Sequence, residues 1–140
     1  MKVHTEEVRL STGKDIEIVN ITDKVNEVAK KSGILEGICF VYSLHTTTAI
    51  IVNENESGSM KDRVTKISRD FPAHAGWEHD RHDNNAHAHL AATYLGSSKS
   101  LPVVDGKVHV GTWQSIFFVE LDGPRTRSLI VQILGDGKKD

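Results

Sequence analysis

The stretch Leu101-Pro-Val-Val-Asp105-Gly-Lys-Val-His-Val110-Gly-Thr-Trp-Gln-Ser115-Ile-Phe-Phe-Val-Glu120-Leu-Asp-Gly-Pro-Arg125-Thr-Arg-Ser-Leu-Ile130-Val-Gln-Ile-Leu134 reads as four β-strands and three turns. Asp105-Gly106 is a tight-turn dipeptide between Pro102–Val104 and Lys107–Val110. Asp122-Gly-Pro-Arg125 is a second turn, between the apolar run Ser115–Leu121 and the β-branched run Thr126–Leu134. The pattern predicts a β-meander. Trp113 reads as core, and Gln114, entering an apolar strand, needs buried partners.

Working back towards the N-terminus, strands alternate with helices. Residues 2–10 and 16–21 are β-prone and flank Ser11-Thr-Gly-Lys-Asp15, which predicts a hairpin. Thr22-Asp23 offers a helix cap, Val25, Val28, Ala29 and Ser32 follow at helical spacing, and Gly33 is placed to stop the helix. Gly37–Leu44 is a continuous apolar run, the pattern of a strand buried on both faces, and Thr46–Val52 is another. Ser57 is positioned to cap a helix ending near Phe71, with Met60, Val64, Ile67 and Phe71 as its core stripe. A third helix begins near Asn85 and stops at Gly96, with Ala86, His89, Leu90, Thr93 and Tyr94 on one face. The sum is an α+β chain of about seven to eight mostly antiparallel strands, as a sheet or sandwich, with about three helices.

Composition narrows the class. With 140 residues, residues 1–140 read as one domain with a frayed tail at 135–140. A net charge of −2 argues against nucleic acid as a partner. The N-terminus lacks a basic segment leading into an apolar run, and no apolar run is long enough to span a bilayer, so no membrane association is expected. The single cysteine, Cys39, fits a reducing cytoplasm and reads as a small buried hydrophobe.

The chemistry is concentrated between His74 and His89, where five of the eight histidines fall among Asp80, Asp83, Asn84 and Asn85. Imidazole titrates near neutrality and ligates metals, so such density points to a site. On a helix from Asn85, His87 and His89 lie about 200° apart and cannot face one ligand. His89 then points inward and His87 elsewhere, while His74 and His82 read as solvated bystanders. His45 and Glu54 bracket an apolar strand whose ends could present them together. Asp80, Asp83, Glu54 and Glu120 supply carboxylates for a His/carboxylate metal site. A metal-free alternative is phosphate binding at helix N-termini near Ser57 and Asn85, assisted by Arg125 and Arg127.

The motifs His45-Thr-Thr-Thr-Ala-Ile50, Asn53-Glu-Asn55, Glu78-His-Asp80, Asn85-Ala-His-Ala-His-Leu90, Leu95-Gly96, Gly111-Thr-Trp-Gln114 and Glu120-Leu-Asp-Gly-Pro-Arg125 resemble the YjbQ (UPF0047) family, also labelled secondary thiamine-phosphate synthase. They occur in the family's order over residues 3–135, with Trp77 where the family usually has tyrosine. The resemblance implies a homotrimeric α+β protein with weak thiamine-phosphate synthesis, coupling a pyrimidine methyl diphosphate to a thiazole phosphate. By position it implies His45, His79 and His89 as site imidazoles and as ligands of a divalent metal such as zinc. Glu54 and Glu120 are implied as further catalytic groups, and Asn85, Gln114 and Arg125 as binding groups. Two other functions stay open: a metal-dependent hydrolase, and a non-catalytic trimer that binds metal or a small ligand.

Overall fold

The computed structural model describes residues 1–137. Its elements in chain order are β1 (Lys2–Ser11), β2 (Glu17–Asn20), α1 (Thr22–Ser32), β3 (Glu36–Ser43), β4 (Thr48–Glu54), α2 (Ser57–Asp70), a single 3-10 turn (Glu78–Arg81), α3 (Ala86–Leu95), β5 (Ser98–Val104), β6 (Lys107–Val108), β7 (Gln114–Glu120) and β8 (Thr126–Asp136). The predicted α+β class holds, with eight strands and three α-helices in the described residues. Gly135 and Asp136 continue β8 rather than fraying, because they pair with β3 as Gly37↔Gly135 and Glu36↔Asp136. Residues 138–140 of the predicted tail lie outside the described residues.

The strands form two antiparallel sheets, one ordered β1-β8-β3-β5-β6 and one ordered β2-β7-β4. Cys39, Val41, Leu129, Val131 and Ile133 face Ile50, Ile116 and Phe118 across a sandwich core, which α1 joins through Val25, Val28 and Ala29. The other face of the small sheet packs Ala49, Val119 and Leu121 against Ile67 of α2 and Ala88, Ala91 and Ala92 of α3. The result is three layers: large sheet, small sheet, helices.

Two predicted pairings fail, for related reasons. The last forty residues are not a meander. Only β5 and β6 form the expected hairpin, while β7 lies in the small sheet and β8 in the large one. Ile116 through Glu120 are buried without alternation, so β7 needs cover on both faces and takes the middle layer. Nor do β1 and β2 pair. The eleven-residue β8 gives β1 a full antiparallel ladder from Lys2↔Gly135 to Ser11↔Thr126, whereas β2 has four residues and pairs with β7.

Burial also corrects three faces. β3 alternates, with Cys39 and Val41 inside and Ile38 and Tyr42 exposed, so it is covered on one face only. On α2, Ile67 alone is fully buried, while Met60, Val64 and Phe71 are half-buried. On α3 the buried residues are alanines, and Tyr94 is 78% exposed. Small side chains let this helix lie close against β4, leaving its larger residues outside. Among the described residues no helix is long and apolar enough to cross a membrane.

Candidate functional site

His45 stands in the turn between β3 and β4. Its Nε2 accepts the backbone N–H of Ser128 on β8 at 2.9 Å. That bond occupies the lone pair and leaves the proton on Nδ1, so His45 is a neutral hydrogen-bond donor. Burial lowers its pKa, and the Arg127 guanidinium lowers it further. The neutral ring is therefore the resting form.

A buried ion pair holds this turn in place. Glu120, at the end of β7, is fully buried and accepts Thr12 Oγ1 at 2.7 Å, Arg127 Nε at 2.8 Å and the Asp122 N–H at 3.0 Å, together with Arg127 Nη2. Arg127 Nη2 also donates to Thr47 Oγ1 at 2.8 Å, two residues beyond His45. Burial pushes the Glu120 carboxyl up, but the bonds from Arg127, Thr12 and the Asp122 N–H hold it below the usual carboxylate range. All its acceptor sites are engaged by protein, so Glu120 braces the site. Arg127 is likewise buried, at 4% exposed. Gly123 is required here, since a Cβ would meet Lys14 O at 2.2 Å and the Glu120 side chain at 2.8 Å.

A second chain of polar groups leads to His79. Arg125 Nη2 lies 3.1 Å from Asp122 Oδ2, and the same oxygen accepts Asn85 Nδ2 at 2.9 Å. With its NH₂ committed to a carboxylate, Asn85 turns Oδ1 to His79 Nε2, 2.9 Å away. His79 therefore carries its proton on Nε2 and keeps the Nδ1 lone pair. Its ring meets His89 edge-on, with centroids 4.7 Å apart. His89 is half-buried, and burial followed by the nearby His79 lowers its pKa. Asn85 does not cap α3 with its side chain; Asp80 Oδ1 does so, accepting the Ala86 N–H at 3.1 Å.

His45 and His89 line one cleft of about 440 Å³ with Tyr42, Ser43, Thr46, Thr48 and Thr93. A smaller cavity of about 210 Å³ lies beside His89 and is lined by Trp77, Glu78, His79, Ala86 and Leu90. His89 borders both.

Other expected members stand elsewhere. Thr48 pairs with Glu120 and Glu54 with Gln114, so Glu54 lies six residues along β4, roughly 20 Å from the cleft end. His45 and Glu54 are not presented together. Gln114 is exposed and accepts the Gly111 N–H at 2.8 Å, and Trp113 is 76% exposed rather than core. The start of α2 is no open phosphate site, because Glu56, not Ser57, caps it by accepting the Gly58 and Ser59 N–H groups. Among the described residues no three His, Cys, Asp or Glu side chains converge as a metal centre. His74 and His82 are exposed. His87 is half-buried, and its buried Nδ1 has no partner in the described residues.

Sequence reasoning missed Thr12, Thr47, Asp122 and the Ser128 N–H. The first three read as turn or strand formers. The fourth is a backbone group with no side-chain signal.

The YjbQ family profile (UPF0047 protein YjbQ-like) matches residues 6–136. A UPF0047 protein of Methanothermobacter thermautotrophicus is 45% identical over 135 residues, covering 96% of this chain and 94% of that protein. UPF0047 protein YugU of Bacillus subtilis is 36% identical over 132 residues, covering 91% and 97%. The crystal structure of a YbjQ-like protein of unknown function from Sulfolobus solfataricus matches with a TM-score of 0.94 at 48% identity, covering 96% of this chain and 99% of that one. The chain belongs to the YjbQ-like UPF0047 family.

Proposed function

We propose that this YjbQ-like protein is an enzyme acting on small phosphorylated heterocycles in the cleft shared by His45 and His89. The reaction would couple a pyrimidine methyl diphosphate to the nitrogen of a thiazole phosphate. The observation that supports this reading is the opposite fixing of two imidazoles: His45 is held as an N–H donor, and His79, against His89, keeps a free lone pair. Such a site can donate to a departing anion on one side and orient a partner on the other.

In this reaction the thiazole nitrogen lone pair forms the new C–N bond to the pyrimidine methylene. The C–O bond to the diphosphate breaks, and its electron pair leaves with pyrophosphate. No side-chain nucleophile is needed. The protein's work would be to stabilise the leaving charge, a task that suits the N–H of the cleft-lining His45, and to align the rings. Arg125, half-exposed, is tied to Asp122, which in turn holds Asn85.

A divalent metal fits only part of the expected ligand set. His45 has its lone pair committed to Ser128 and does not fit as a ligand in this arrangement. His79 does fit, since its Nε2–H is oriented by a carbonyl oxygen as metal-binding imidazoles usually are. His79 and His89 would hold such an ion, which would neutralise phosphate charge. A metal-dependent hydrolase is the second reading, and it would need a ligand beyond these two imidazoles.

The homotrimer belongs to this proposal, as does a cytoplasmic location. The outer face of the large sheet exposes Val3, Ile38, Tyr42 and Val104, and Tyr42 also lines the cleft. A subunit packed on that face would border the site.

The test is turnover by purified wild-type, His45→Ala and His89→Ala proteins, with and without added zinc. Thiamine phosphate formed by the wild type and reduced about 10²–10⁴-fold in both variants is the expected result. Full activity in either variant removes the reading. Phosphate release without coupling, dependent on metal, selects the hydrolase; ligand binding without any turnover selects the non-catalytic trimer.

A further inference from the structure

The two cavities that share His89 differ in character. The larger is ringed by hydroxyls and His45. The smaller is mainly apolar, with Trp77, Ala86 and Leu90 in its lining. Trp77 Nε1–H donates to Pro72 O at 2.9 Å, so the indole that lines the cavity is anchored at its polar edge. An anchored indole is a ready surface for a flat aromatic ring. Beside the two imidazoles the lining holds the Glu78 carboxylate, an acceptor with no hydrogen-bond partner in the described residues, and His79 has its Nε2–H committed to Asn85 Oδ1, which leaves Nδ1 as its acceptor.

We infer that the smaller cavity is a second half-site that binds a planar amino-substituted aromatic heterocycle, stacked on Trp77 with its N–H edge towards Glu78 and His79. The inference rests on the proposed reading and deepens it. It assigns the aminopyrimidine ring to the Trp77 side of His89 and leaves the phosphorylated ends to the His45 side. A ring that carries only acceptors would meet the Glu78 carboxylate unfavourably, so the half-site discriminates by hydrogen-bond polarity as well as shape.

The experiment uses Trp77 as its own reporter. The chain has two tryptophans, and replacing the exposed Trp113 by phenylalanine leaves one emitter. In Trp113→Phe protein, 4-aminopyrimidine should quench the emission saturably, and unsubstituted pyrimidine should bind at least tenfold more weakly. Glu78→Gln in that background should remove most of this preference. Ring NMR signals of His79 and His89 should shift with the same midpoint, and Trp77→Ala should raise that midpoint at least tenfold while the NMR spectrum remains folded. Absence of saturable quenching and of ring shifts overturns the inference, as does undiminished binding by Trp77→Ala. Inorganic phosphate separates the two proposals. If phosphate shifts the His45 signals, the turnover assay is positive and aminopyrimidine shifts nothing, the half-site falls and the enzyme reading stands. If aminopyrimidine binds as described and the turnover assay is negative, the half-site stands and the enzyme reading falls.

Discussion

Two carboxylate–arginine pairs lie within eight residues of each other at the β7–β8 junction, and they behave oppositely. Glu120–Arg127 is buried, with side chains 0% and 5% exposed, while Asp122–Arg125 is 23% and 53% exposed. The buried pair reaches Thr47 and steadies the turn that carries His45. The exposed pair reaches Asn85 and, through it, His79. The same two charge types thus give a buried support beneath the cleft and a solvent-exposed one beside the smaller cavity. Depth in the fold makes the difference, because solvent weakens a surface pair and cannot reach the buried one.

The largest expected effect comes from breaking the buried pair. Arg127→Met leaves the Glu120 carboxylate without its counter-charge and should cost about 3–5 kcal/mol in urea unfolding. Adding Glu120→Leu should recover part of that loss. A single variant that unfolds like the wild type would show that the pair does not brace the fold.

An intermediate effect is expected from pH. His45 and His89 have lowered pKa values, both from burial first. Their contribution is present above the ordinary imidazole value of about 6.5. As pH falls below that value the unfolded chain takes up protons that the folded chain refuses, so stability drops until the folded rings also titrate. Glu120, also lowered, adds a further loss when pH falls through the carboxylate range. Urea midpoints measured from pH 8 to 5 should decline, and the decline should flatten in a His45→Ala/His89→Ala protein. An identical slope in both proteins contradicts the assignment of these two rings.

The smallest stability effect belongs to the exposed pair. Arg125→Met should change unfolding by less than about 1 kcal/mol. It should still raise KM for a phosphorylated substrate more than it lowers kcat. Equal stability losses in Arg125→Met and Arg127→Met would erase the distinction between the two pairs.

What the sequence revealed follows the same division between local and distant. The helices were legible from nearby residues, as with α1, which ends at Gly33 in the left-handed conformation that only a local signal has to specify. Strand existence was also legible. Strand partners were not, since β1 finds β8 more than a hundred residues away and no short pattern announces it. His45, His79 and His89 were singled out by density and family motif. Their roles were hidden, because tautomers are set by Ser128 N–H and Asn85 Oδ1, groups that composition does not flag. Glu54 and Gln114 were misplaced for a simpler reason. Being at the end of a strand does not say which end faces the cleft, and these two sit opposite one another at the far one.

Cys39 carries a practical consequence. Its side chain is wholly enclosed in β3, between β5 and β8, and burial pushes the thiol pKa up to about 12. Only the thiolate reacts readily with alkylating reagents, so the folded molecule should be inert to them near neutral pH. Labelling of this one atom then reports how often the central strands of the large sheet separate. The protein contains a built-in clock for its own opening, which can be read without adding a probe or altering a residue.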